Sequence, residues 1–448
     1  MILSRYTRTI PHDDGTIVYN VLNNKKAVCF SPNDSSNLAR LISGEDIPAE
    51  NISIGLKHFC VDAHIDEKKI ALGLQQSFLW DKSSLGLIVM PTMECNMGCI
   101  YCYENKSDSQ VMDNAFMEDT LSAIIQYHKD NPLQHLSIEW YGGEPLIKYA
   151  EIVSFTERLN TFCEKERIEV TYGMTTNAYL LTKERAEKLL SIGITAFQIT
   201  LDGMEETHNR LRPHISAKDS WATIVNNLQH MKQLDYMFNV KVRINYDLDV
   251  LDNIEEFHNF IKNNLDKRFR VFHHAICKWG GVRDDELSVV DPNVVEFIDV
   301  DLVKNAIDIG LEPEMSFYFA SFGGRVCYAN RPYFYIITWD RKLRKCTFTD
   351  STYDENNVVG KLLHGGRFDI DSKKALNFVM PDYPKMVQKG CFDCFVLPIC
   401  QGSSCGLRAL ERNEPICVAE KANIDDVILQ EYNYRKMVSR VRNVDIAK

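Results

Sequence analysis

From residue 85 onward, short apolar runs alternate with longer segments whose apolar residues recur at helical spacing. Leu85–Met90 predicts a buried strand and Met117–His128 a helix. Leu136–Trp140 with Ile152–Phe162, and Ile168–Met174 with Lys183–Ser191, repeat the pair. The third helix is well punctuated: Thr182 is its N-cap, Glu184 lies in its first turn and Gly193 follows its end. Ala196–Leu201 with Trp221–Leu234, Val240–Tyr246 with Ile254–Asn264, and Phe269–Ile276 with Val294–Ile309 complete six strand-plus-helix units. Such a series implies right-handed crossovers and an α/β fold on a parallel sheet, open or curled toward a barrel. Functional groups then belong at the carboxyl ends of the strands, so each chemical motif should fall directly after one.

The flanks read differently. Thr16–Leu22 and Lys26–Ser31 predict a strand pair around the turn Asn23-Asn24, followed by helices over Ser35–Ile42, Ile52–Val61 and Glu67–Gln76. This small α+β module, residues 1–82, is either a structural cap on the barrel or a binding module. The central units span 83–312. Beyond them, in 313–448, long amphipathic patterns fade until Asp425–Val441, while cysteines accumulate. A region with few core-forming runs and many thiols is expected to be held by metal.

The chain has 448 residues and a net charge of −11, with 51 Lys+Arg against 62 Asp+Glu. That balance argues against nucleic-acid binding, which needs clustered cations. No apolar run approaches the roughly 18 residues that span a bilayer. The start, Met1–Arg8, has no apolar signal core, so a cytoplasmic location is expected. The basic stretch Arg435–Arg442 reads as a solvated helix face.

Fourteen cysteines are many for a chain whose thiols stay reduced, and they point to metal or catalysis. Cys29, Cys60 and Cys163 are expected to be small buried hydrophobes; Cys277, near His273 and His274, has an added chance of a chemical role. Cys95, Cys99 and Cys102 follow the first strand on one loop. Three thiolates are one short of a closed zinc site and of a fully cysteine-ligated cubane. The chemical reading is a [4Fe–4S] cluster with one iron open to an exchangeable ligand. A zinc site completed from elsewhere, or unrelated thiols, are the alternatives.

The loop resembles the CxxxCxxC motif of the radical S-adenosylmethionine (SAM) enzymes. The resemblance implies that the open iron chelates SAM, whose reductive cleavage yields a 5′-deoxyadenosyl radical that abstracts hydrogen from the substrate. Further segments are similar to that family's motifs and follow the predicted strands. Gly142-Gly143-Glu144-Pro145 resembles the element whose backbone and Glu hold the methionine ammonium. Thr176 and Asn177 match the ribose-contacting turn, with Ala178 in place of the usual Gly. Asp202 leads to Arg212, which matches the partner of the SAM carboxylate, and Tyr101, Arg243 and Asn245 are further implied contacts.

Seven more cysteines lie between residues 327 and 417. Alone, the CxxC there would suggest a zinc ribbon or knuckle. Beside the first motif, the set resembles the SPASM extension, so three [4Fe–4S] clusters are implied in all. Cys391, Cys394, Cys400 and Cys417 would ligate the outer auxiliary cluster, and Cys327, Cys346 and Cys405 the inner one. Arg341 stands at a customary Gly position, and Ser321 and its neighbours provide no fourth inner ligand, for which Cys277 is a rival. The family predicts a partial (β/α)6 TIM-like barrel with an N-terminal winged-helix-like module and a cysteine-rich C-terminal domain. It also predicts a precursor peptide as substrate, crosslinked oxidatively through a thioether or C–C bond, and a flavodoxin or ferredoxin as electron donor. Leader capture would occur by strand addition at Thr16–Leu22 or Lys26–Ser31. Three rival readings are an anaerobic sulfatase-type maturase, haem-precursor chemistry, and an iron–sulfur carrier or scaffold without turnover. Against the maturase reading, Thr347 occupies the position of its usual Asp base, and Asp350 is the nearest carboxylate in sequence.

Overall fold

The computed structural model of the chain describes residues 1–22, 27–31, 35–104, 111–217, 219–278, 283–314, 327–348, 354–380, 382–418 and 421–446. Asn23, Asn24, Ser321 and Asp350 lie outside these residues. Near the N-terminus, β1 (Ile2–Leu3) pairs with β5 (Cys60–Val61). Between them, β2 (Thr7–His12), β3 (Gly15–Asn20) and β4 (Val28–Phe30) form an antiparallel sheet in the order β2-β3-β4. Thr16–Leu22 therefore cannot supply a free edge, because its strand β3 is paired on both sides; the edges belong to β2 and β4. The helix expected over Ile52–Val61 is only one turn, Ile54–Lys57, capped by Ser53.

The six expected units are all present. Their strands are β6 (Ser84–Met90), β7 (His135–Trp140), β8 (Glu169–Thr176), β9 (Ile194–Thr200), β10 (Asn239–Tyr246) and β11 (Phe269–Ala275). Each pairs in parallel with the next. β6 is buried at six of its seven positions, as a parallel strand covered on both faces must be. Thr182 caps its helix by accepting from the Arg185 backbone N–H.

The cysteine-rich end is less separate than its composition implies. β12 (Phe334–Thr338) lies parallel to β6 and carries an antiparallel run of β13 (Lys342–Arg344), β14 (Val358–Leu363) and β15 (Arg367–Ile370). One ten-stranded sheet results, in the order β11-β10-β9-β8-β7-β6-β12-β13-β14-β15, and it crosses the boundary expected near residue 313. Gly86 permits the junction: a Cβ there would lie 2.1 Å from the Phe334 ring.

Arg341, in the β12–β13 turn, has φ +63°, the left-handed conformation that explains a glycine preference at this position. Its side chain offsets the strain. It donates to Asp113 at 2.5 and 3.0 Å and to Asp119 at 2.7 Å, fastening the turn to the start of the helix Phe116–Asp130. Removing the largely buried guanidinium in Arg341→Ala should cost about 2 kcal/mol. Arg341→Gly should be milder by up to about 1 kcal/mol, because it releases the left-handed strain. Denaturant unfolding of the two variants measures this reversal of the usual Ala-over-Gly order.

A second buried device couples β11 to two helices. His258 donates Nδ1–H to Asn305 Oδ1 at 2.6 Å and accepts at Nε2 from His273 Nε2–H at 2.8 Å. Burial holds both imidazoles below their ordinary pKa. The unfolded chain takes up protons on them near pH 6.5, whereas the folded pair resists, so stability falls as pH drops below about 6.5. Thermal midpoints between pH 7.5 and 5 should decline, and His273→Gln should flatten that decline.

Candidate active site

The loop after β6 is stitched to the segment that follows the helix Glu205–Leu211. Gly98 N–H donates to Pro213 O at 2.8 Å, Ile100 N–H to Leu211 O at 3.0 Å and Ile215 N–H to Asn96 O at 3.0 Å. Cys95, Cys99 and Cys102 are thereby held on a short curved ribbon, all half-buried. On the other side the ribbon is braced by the Gly-Gly turn after β7. Gly143 N–H donates to Thr92 O at 3.0 Å and Glu144 N–H to Glu94 O at 2.8 Å. The approach is too close for side chains: a Cβ on Gly143 would lie 2.3 Å from Glu94 O, and one on Gly142, at φ +123°, 2.3 Å from Thr92 O.

Glu144 is fully buried and faces the next strand end. Its carboxylate accepts from Thr176 Oγ1 at 2.7 Å, Asn177 N at 2.8 Å and Leu146 N at 3.0 Å. Burial raises its pKa, and these donors oppose the rise. Asn177 then returns to the cysteine loop, donating from Nδ2 to Asn96 Oδ1 at 2.7 Å, with Cys95 Sγ at 3.9 Å. Ala178 has φ +61°, so the usual glycine's left-handed geometry is retained despite the Cβ.

The opposite wall is a buried charged network. The Tyr101 hydroxyl donates to Asp202 and accepts from Arg212 Nη1 at 2.7 Å and Asn245 Nδ2 at 3.0 Å. Asp202 also accepts from Asn245 N at 2.7 Å and lies 3.9 Å from Arg212 Nε. Burial pushes the Asp202 carboxyl up, opposed first by the guanidinium and then by the Tyr101 bond. Arg212 Nε is buried without a hydrogen-bond partner. An orphaned cationic donor of this kind suits a carboxylate.

These walls enclose one cavity of about 440 Å³, within the range of a cofactor site. It is lined by Cys95, Cys99, Tyr101, Cys102, Gly142, Gly143, Thr176, Asn177, Arg212, Arg243 and Asn245. Glu144 and Asp202 are not on its surface; they act behind it. Sequence reasoning missed the lining residues Gln198 and Thr200, although each stands two residues from its neighbour on a strand end and so shares its face. It also missed Tyr103 and Tyr141, whose hydroxyls lie 3.1 Å apart, and Phe348, on which Tyr103 stacks at 5.4 Å.

Cys346, Cys405 and Cys277 line the same cavity. Cys327, Cys346 and Cys405 pack around Ala329, Phe378 and Leu407. Burial pushes Cys346 up to about 12, with Cys327 and Cys405 adding to the effect. Cys391, Cys394, Cys400 and Cys417 form a second neighbourhood: Cys400 is also pushed up to about 12, first by burial and then by the other three thiols. Iron binding at either group would have to displace the thiol protons. Among the described residues, no three His, Cys, Asp or Glu side chains converge tightly enough to hold a single metal ion.

The family model of the Radical SAM superfamily matches residues 89–273, from the end of β6 into β11. Residues 89–273 are a radical SAM domain. A cysteine-type anaerobic sulfatase-maturating enzyme of Clostridium novyi is 25% identical over 197 residues, covering 42% of this chain and 50% of that protein. The chain spans about half the length of the curated relatives it matches. Among solved structures, anSMEcpe with bound AdoMet and Cp18Cys peptide superposes with a TM-score of 0.57 at 15% identity, covering 81% of this chain and 99% of that one. Streptococcus suis SuiB bound to S-adenosylmethionine covers 94% of this chain and 99% of its own, with a TM-score of 0.50 at 15% identity. These likenesses establish a shared fold. Within the radical SAM domain, the Gly-Gly brace carries a direct expectation. Gly143→Ala should displace the cysteine loop and lower the iron bound after anaerobic reconstitution by up to about four irons per chain, the content of one cubane, while thermal stability falls by roughly 2 kcal/mol. Iron analysis and unfolding of the variant measure both.

Proposed function

We propose that the chain is a radical SAM enzyme that oxidatively modifies a peptide or protein, with a partial (β/α)6 barrel as its catalytic core. The observation that carries this reading is the shared cavity of about 440 Å³, whose lining includes Cys95, Cys99 and Cys102 together with Cys346 and Cys405. Cys95, Cys99 and Cys102 would hold a [4Fe–4S] cluster with SAM on its open iron. Arg212 would bind the SAM carboxylate, the Gly142–Gly143 backbone its methionine ammonium, and Thr176, Asn177, Tyr101 and Asn245 would shape the remaining surface. When bound, this pair would supply a 5′-deoxyadenosyl radical able to remove a hydrogen atom from a substrate carbon.

The rest falls to the protein. Cys327, Cys346 and Cys405, with Cys277 as a fourth candidate, would hold an inner auxiliary cluster, and Cys391, Cys394, Cys400 and Cys417 an outer one. Bound there, such a pair would supply an acceptor for the electron released when a substrate closes a new bond and loses a proton. Residues 1–82 would bind the leader of a precursor peptide, adding it as a strand to the edge at Val28–Phe30. In this reading the substrate is a ribosomal precursor peptide, the product a thioether or C–C crosslink, and the donor a cytoplasmic flavodoxin or ferredoxin.

Conversion of Cys or Ser to formylglycine is the second reading, favoured by the resemblance to the sulfatase-maturating enzyme. Mass spectrometry separates the two on a cysteine substrate. A crosslink removes two hydrogen atoms and keeps sulfur, whereas formylglycine formation removes two hydrogen atoms and also exchanges sulfur for oxygen. The primary test precedes any substrate. Protein reconstituted without oxygen and given dithionite and SAM should release 5′-deoxyadenosine and methionine, and Cys99→Ala should abolish both. Absence of these products from the unaltered protein would leave only an electron carrier or scaffold.

A further inference from the structure

The N-terminal sheet is built as a sandwich filling whose second slice is the outer cysteine region. One face of β3 supplies Val18 to a core with Phe30, Leu38, Leu41, Leu56 and Phe59, all from the module itself. The alternate face supplies Ile17 and Tyr19 to a different core, shared with Val396, Leu397, Ile399, Cys400 and Ile428. Both faces are closed: Ile17 and Val18 are 0% exposed. Polar contacts follow the same seam. Asp393, between Cys391 and Cys394, receives Lys68 at 2.6 Å and Arg5 at 3.2 Å. Arg8 lies over Phe395 at 4.9 Å, and Ala27 N–H donates to Glu431 at 3.2 Å. The exposed pairs contribute little, so the shared apolar core dominates.

The cysteine side of this seam has scant structure of its own. Between residues 391 and 400 there is one 3-10 turn, Cys391–Asp393, and one helical turn, Leu397–Cys400. Segments that short do not hold a shape in water unaided. A group bound by Cys391, Cys394, Cys400 and Cys417 would cross-link both turns and tie them to residue 417.

We propose that the outer four-cysteine site has a structural function beyond electron transfer: its loading shapes the face on which the N-terminal sheet rests, so peptide capture at β4 depends on assembly of a site in the C-terminal third. This rests on the reading of those cysteines as iron ligands. The experiment compares hydrogen exchange in the anaerobically reconstituted full chain and in Cys394→Ser, with iron counted in each sample. In the variant, iron should fall and amides of β3 and β4 should exchange at least ten-fold faster, while β6 to β10 keep their protection. Iron loss with β3 and β4 unchanged overturns the coupling and leaves the cluster reading standing. Unchanged iron removes the cluster reading and the proposal with it. Loss of protection throughout the chain overturns a dependence specific to the module. A second variant, Leu397→Ala, opens the seam with every thiol in place. It should accelerate β3 and β4 exchange at unchanged iron content, and no acceleration there also overturns the proposal.

Discussion

The candidate site depends on keeping a buried guanidinium and a buried carboxylate paired where neither has water. Arg212 and Asp202 are 7% and 0% exposed, and Tyr101 and Asn245 fill the space between them with hydrogen bonds. Breaking such an arrangement from one side costs several kcal/mol, because the remaining charge is stranded. The four residues come from four places: the cysteine loop, the end of β9, the segment after residue 211 and the end of β10. The network thus sets the position of the loop relative to the sheet. It also leaves one donor, Arg212 Nε, unused.

The same economy runs around the rest of the cavity. Glu144 and Asp202 resemble ligand contacts in sequence, yet both are spent on bracing the residues that line the wall. The motif segments thus gather at one cavity, while two of their residues stay off its surface. Gly-Gly-Glu-Pro was legible as a site for close backbone approach, and the approach is to the cysteine loop itself. Which atoms face the cavity depends on strand register and on packing behind the wall, neither of which a motif encodes.

The serial strands and helices were legible because each carries its own period and punctuation. Two features were not. β12 to β15 are short, three to six residues each, and join the sheet through a contact some 250 residues distant in sequence, Gly86 against Phe334. The second face of β3 is apolar for a partner almost 400 residues away, Leu397 and its neighbours, so a local reading sees a free-standing module. Neither signal is local, and period analysis finds only local ones.

The arrangement of thiols has a consequence for traffic through the site. Cys346 and Cys405 border the large cavity, while Cys327 borders a second cavity of about 370 Å³ that also reaches Cys400. Of Cys327, Cys346 and Cys405, two thiols therefore face the large cavity and one the cavity that reaches Cys400. Asn330 spans this gap, donating to Ser403 O at 3.0 Å and accepting from Gly406 N at 3.1 Å, which ties the turn after Cys327 to the backbone on either side of Cys405. A group held by the trio would be exposed to substrate on one side and to the outer site on the other. An oxidative step needs that geometry if an electron enters where the bond forms and leaves where no substrate can follow.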